Sequence, residues 1–87
     1  SATHKVVGII RNFNSQNGFT EVEVKNRISV NDKVEIITPE EKKLIKVKEI
    51  INKKGISIEA AHGGADNVFI PLETDPGKFT FLRSKIK

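Results

Sequence analysis

Asn17-Gly18-Phe19-Thr20-Glu21-Val22-Glu23-Val24-Lys25-Asn26-Arg27-Ile28-Ser29-Val30-Asn31-Asp32-Lys33-Val34-Glu35-Ile36 decides how this chain folds. Val22 and Val24 alternate with Glu21 and Glu23, and Val34 and Ile36 alternate with Lys33 and Glu35. A period of two sends apolar side chains to one face of a strand and charges to the other. Both runs are therefore expected as half-buried strands, with Val22, Val24, Val34 and Ile36 facing the core. Asn17-Gly18 tolerates positive φ and opens the unit as a tight turn, while Ser29-Val30-Asn31-Asp32 supplies a second cluster of turn formers. Lys25-Asn26-Arg27 reads as a polar corner, after which Ile28 and Val30 dip toward the core. No catalytic chemistry is written in this stretch.

Upstream, the β-branched run from His4 to Asn14 reads as the first strand. Its apolar residues fall on both faces, with Val7, Ile9 and Phe13 on one side and Val6, Gly8 and Ile10 on the other. Such a strand suits a closed or nearly closed sheet, with Gly8 allowing a bend or a close backbone approach. Downstream, Thr38-Pro39-Glu40-Glu41 has the form of a helix N-cap with acidic residues in the first turn. A helix running on to Ile51 would place Lys48 on its apolar stripe, and the β-branched residues at 45, 47, 50 and 51 favour a strand. The expectation is a turn at 38–43 and a fourth strand near 44–51. Asn52-Lys53-Lys54-Gly55 then reads as a hairpin turn, residues 56–60 as a fifth strand, and Val68-Phe69-Ile70 as a short sixth strand stopped by Pro71. Thr74-Asp75-Pro76-Gly77 is a strong turn signal, followed by a last strand at 79–82 and a basic tail at 83–87. Six or seven short strands at this spacing point to an all-β fold, a small antiparallel β-barrel whose closure removes unprotected edges.

Composition bounds the possible functions. A chain of 87 residues is a single small domain, and it buries roughly 60–65% of its unfolded surface. Cys is absent, so neither a disulfide framework nor a thiolate metal site can form. No apolar run is long enough to span a membrane as a helix, and there is no charged-then-apolar leader pattern. A cytoplasmic location without a membrane partner is expected, with secretion of a parent protein left open. Ser1-Ala2 in place of an initiator Met leads to the expectation of a domain excised from something longer. The net charge of +4 makes an anionic partner conceivable, although eleven acidic residues are interspersed with fifteen basic ones.

Candidate chemistry is sparse. His62-Gly63-Gly64 could act as an anion nest, yet paired glycines in a connection more often serve backbone geometry. His62 with Asp66 could form a base and carboxylate pair, but neither Ser57 nor Ser84 has the context of an activated nucleophile. His4 and His62 alone are too few for a metal centre, so neither a metal nor another cofactor is expected. Lys46 and Lys48 share a strand face, where they either oppose Glu21 and Glu23 or stand in solvent. Together with Arg83 and Lys85 they make the basic strip expected to meet a partner, and His62 is the remaining candidate for substrate or partner binding.

The residues also carry a resemblance. Gly8 within Val-Val-Gly-Ile-Ile, the turn ending in Gly18, and the run from Val22 to Ile36 resemble the C-terminal domain of the collagenase-like peptidases, family thirty-two of the peptidases of unknown catalytic type. Glu59-Ala60-Ala61-His62, Val68-Phe69-Ile70-Pro71-Leu72 and the segment from Phe79 to Arg83 extend the likeness over nearly the whole chain. Asn31 stands where that family usually has Gly, and Gly63 where Pro often follows His. The resemblance implies a β-barrel similar to the second domain of elongation factor Tu, appended to a catalytic domain outside this sequence. It also implies a non-catalytic accessory role in a hydrolase, positioning substrate or capping the active site. The partners implied are the catalytic domain of the same parent chain and a collagen-like or other polypeptide substrate. The alternative is an RNA-binding module of an RNA-modifying relative. Because the family's catalytic motifs lie in the absent part, no catalytic residue is assigned to this chain.

Overall fold

The computed structural model describes residues 3–85. It is built from ten strands: β1 (His4–Phe13), β2 (Phe19–Val24), β3 (Ile28–Ser29), β4 (Lys33–Ile37), β5 (Lys42–Lys46), β6 (Ile50–Ile51), β7 (Ser57–Ile58), β8 (Ala60–Ala61), β9 (Val68–Pro71) and β10 (Phe81–Lys85). Eight of them form an antiparallel sheet in the order β5-β4-β10-β1-β2-β9-β6-β7, and β3 pairs separately with β8. The sheet curls into a half-barrel. Its edge strands β5 and β7 do not pair with each other, so closure is incomplete. The β3–β8 ladder, with backbone bonds from Val30 N to Glu59 O and from Asn31 N to Val47 O, ties the two sides together.

The alternation of the opening stretch holds. Val22, Val24, Val34 and Ile36 are 0%, 2%, 1% and 7% exposed, while Glu21, Glu23 and Glu35 lie on the other face. These four valine and isoleucine side chains join Val7, Ile28, Val47, Ile50, Ile70 and Leu82 in one aliphatic core. None of the five phenylalanines belongs to it.

Two bulges in β1 reassign its faces. Val7 is skipped in the pairing with β10, and Arg11 in the pairing with β2. An extra residue shifts the side-chain period by one, so Val7 and Gly8 both turn inward while Ile9 faces out beside Phe81. Val7, Ile9 and Phe13 therefore do not share a side as expected. Gly8 lies under the core, where an added Cβ would sit 2.5 Å from Val22 Cγ1.

Two of the seven expected strand runs divide. The helix reading of 38–51 fails, and β5 starts at Lys42 rather than Leu44 because the turn closes early, with Thr38 N bonded to Glu41 O at 2.9 Å. The run then breaks at Val47, whose amide donates to Asp32 O at 2.8 Å and whose side chain turns into the core. The 56–60 run splits at Glu59 because β7 pairs with β6 whereas β8 crosses to β3, and Ile56 is left 56% exposed. Pro71 ends β9 from within the ladder, opposite Phe19. The last strand begins at Phe81, not Phe79, and runs to Lys85, so Arg83 is a strand residue. Ile86 and Lys87 of the expected tail lie outside the described residues. At the β3–β4 turn Asn31 has φ 77°, a left-handed value that Gly or Asn accommodates best.

Gly8→Ala should cost about 1–3 kcal/mol, because the new methyl overlaps a stiff valine in a closed core. An unchanged denaturant midpoint would refute that packing. Thr20 is fully buried, and its hydroxyl has no hydrogen-bonding partner. Thr20→Val should therefore raise stability by about 1 kcal/mol in the same melts.

Candidate functional site

Because neighbouring strands are antiparallel, the start of β1, the end of β10, the start of β4 and the end of β5 meet at one rim of the half-barrel. Each of these four termini carries a basic residue: His4, Lys85, Lys33 and Lys46. Lys46 stands directly opposite Lys33, and Lys85 directly opposite His4. The β10–β4 register, carried two residues past Arg83 and Glu35, points Lys85 toward Lys33. The result is a row of three lysines across three strands on the convex face, with His4 at its end beside Glu35. Like charges placed opposite one another on a sheet are mutually destabilising.

The acids nearby are engaged elsewhere. Glu35 Oε1 accepts from Arg83 Nε at 2.9 Å and lies 3.3 Å from His4 Nε2. The Arg83 hydrogen bond, reinforced by its charge and those of Lys42 and His4, holds the Glu35 carboxyl below its ordinary value. Glu23 binds Lys25 Nζ at 2.6 Å and the Arg11 guanidinium, with Arg11 Nε at 2.9 Å. Those two partners, Lys25 first, lower its pKa to about 2. Glu21 accepts from Asn67 Nδ2 at 2.8 Å and Asn12 Nδ2 at 3.0 Å, and its pKa is lowered mainly by these bonds. Glu21 and Glu23 therefore do not face Lys46 or Lys48. Among the described residues no carboxylate lies within 4 Å of the ammonium of Lys33, Lys46, Lys48 or Lys85.

The expected basic strip is thus brought together only in part. Lys46 and Lys85 reach the same rim, and Lys48 is exposed just beyond the end of β5. Arg83 sits one row inward and is occupied by Glu35. His62 is exposed in the β8–β9 loop, where Gly64 N reaches Val24 O at 3.4 Å and a Cβ added at Gly63 would collide with the Lys25 carbonyl. Asp66 faces Lys53 at 3.3 Å. Lys33 was the missed member of the row. Its outward direction was readable from alternation, but its partner across the ladder was not. Among the described residues no group of three or more His, Asp or Glu side chains is placed to hold a metal ion.

A family model for the peptidase family U32 C-terminal domain matches residues 2–83. The chain belongs to this family. Among individual relatives, the U32 domain is 31% identical over 75 residues to the tRNA hydroxylation protein P of Haemophilus influenzae, a match covering 86% of this chain. The chain spans only 16% of that protein's length. Two crystal structures of the C-terminal domain of a Geobacillus thermoleovorans protein assigned to the U32 peptidases share the fold at 20% identity. The selenomethionine variant has a TM-score of 0.83, covering 92% of this chain and 99% of that one. The other scores 0.78, covering 94% and 92%.

The carboxylates whose pKa is depressed stabilise the U32 domain at pH above their unfolded values, and that contribution is lost as pH falls through the folded ones. Melting temperature should therefore decline as pH drops from the ordinary 4.5 toward about 2, where Glu23 protonates last. Arg83→Met should move the Glu35 titration upward in carboxyl NMR. A Glu35 titration that stays put would remove Arg83 as its cause.

Proposed function

We propose that this U32 domain is a non-catalytic module that presents an RNA substrate to the catalytic part of a larger enzyme. The observation that carries this reading is the row of Lys46, Lys33 and Lys85, which faces solvent with its nearest acid, Glu35, committed to Arg83 and His4. Unpaired ammonium groups spaced along a convex sheet match a phosphate backbone, whose binding draws on counterion release. The relative described as a tRNA hydroxylation protein supports RNA as the anion. On this reading the chemistry of the parent, hydrolytic or otherwise, resides outside these 87 residues.

A second reading takes a polypeptide as the substrate. Edge strand β5 borders a groove formed with Pro71, Leu72 and Pro76, and Leu44 on that strand is 63% exposed. An extended peptide could add to this edge as a further strand.

Salt separates the two, since strand addition depends on backbone hydrogen bonds and the cationic row on charge. A short unstructured oligoribonucleotide should bind this chain with an affinity that falls steeply as salt rises. Lys46→Glu should weaken binding and reduce the salt slope by about one or more. The same change places Glu opposite Lys33, so folding stability should hold or rise by about 0.2–1 kcal/mol. Absence of RNA binding at low salt would overturn the RNA reading.

A further inference from the structure

We propose that the ring of Phe79 is a stacking platform for an unpaired base of single-stranded RNA, an inference that rests on the RNA reading above. Phe79 is 87% exposed and has φ 60°. A bulky side chain is disfavoured in this left-handed region because its Cβ crowds the following carbonyl, and such strain persists where the surroundings enforce it.

The enforcement is visible. Gly77 N donates to Asp75 Oδ1 at 2.9 Å, and the hydroxyl of buried Thr80 lies 3.0 Å from Pro76 O and 3.1 Å from Gly77 O. Ile10 N then anchors Thr80 O to β1 at 3.0 Å. The loop is pinned on both sides of Phe79, so the ring is held out into solvent by a structured loop.

Its surroundings suit a nucleotide. Phe79 borders a shallow cleft lined by Val6, Ile9 and Phe81, with Lys78 as its free cation, Arg11 held by Glu23, and Asp75 turned back to the Gly77 amide. Aromatic side chains stack on the face of any base, and a flanking cation, here Lys78, takes a phosphate. Phe81 and Lys85 lie at opposite ends of β10, a separation of about 13 Å at the rise of a strand. One RNA strand can therefore reach both the cleft and the cationic row.

The test uses this chain, a short unstructured oligoribonucleotide and the same backbone carrying abasic sites. Phe79→Ala should weaken binding to the intact strand roughly tenfold with an unchanged salt slope. It should leave the abasic strand unaffected, and Phe79→Trp should retain affinity. Phe79→Gly suits the left-handed φ, so it should melt no lower than the wild type while losing as much affinity, which excludes misfolding as the cause. Wild-type affinity in Phe79→Ala, beside weakened binding in Lys46→Glu, overturns the stacking platform and leaves the RNA reading standing. Equal loss on the abasic strand, or self-association that Phe79→Ala abolishes, also overturns it. No RNA binding by the wild type at low salt overturns both.

Discussion

The packing of the core onto bare backbone at Gly8 is the constraint on which the rest of this half-barrel depends. β1 lies between β10 and β2, and at Gly8 both neighbours present buried residues, Leu82 and Val24. With Val22 Cγ1 of the neighbouring strand only 2.5 Å from where a Cβ would stand, and Ile28 Cδ1 3.6 Å away, the core side chains fill the space that a side chain at this position would need. The bulges at Val7 and Arg11 add local twist and bend the strand around that contact. A small chain can fill the resulting space with Val, Ile, Leu and Ala alone. The larger phenylalanines are left at or near the surface, and that exclusion supplies the outer face with aromatic area.

Charge on that outer face is sorted by the same geometry. Glu23 collects Arg11 and Lys25, and Glu35 collects Arg83 and His4, so the carboxylates become local hubs. The cost of this sorting is a rim where Lys33 meets Lys46 with no acid between them. Exposed like charges oppose folding only weakly, and a marginally stable domain tolerates the opposition more easily than a buried defect. Local rules of this kind are broken most often where a surface has a task beyond folding.

The relation to other U32 domains shows which features specify the scaffold. A solved relative keeps the fold with a TM-score of 0.83 at 20% identity, so period and turn geometry carry the shape while most identities change. Asn31 illustrates the tolerance. It occupies a left-handed turn position at φ 77°, which asparagine and glycine can both adopt. Function on such a scaffold is a property of surface placement.

The sequence by itself determined the strand class, the inward face of β2 and β4, and the turns at Asn17-Gly18, Ser29–Asp32 and Asn52–Gly55, because alternation and turn chemistry act within a few residues. The cap signal at Thr38 was also real local chemistry, since its Oγ1 accepts from the amides of Glu40 and Glu41. It closes a β-turn instead of starting a helix because the next residues pair with β4. Which runs divide, which residues bulge, and which lysines confront each other were decided only by tertiary structure. Register depends on partners far away in the chain: Lys33 acquires Lys46, Glu35 acquires Arg83, and Val47 is drawn inward by Asp32. Those pairings form when the sheet curls around its core, and no local pattern of residues encodes them.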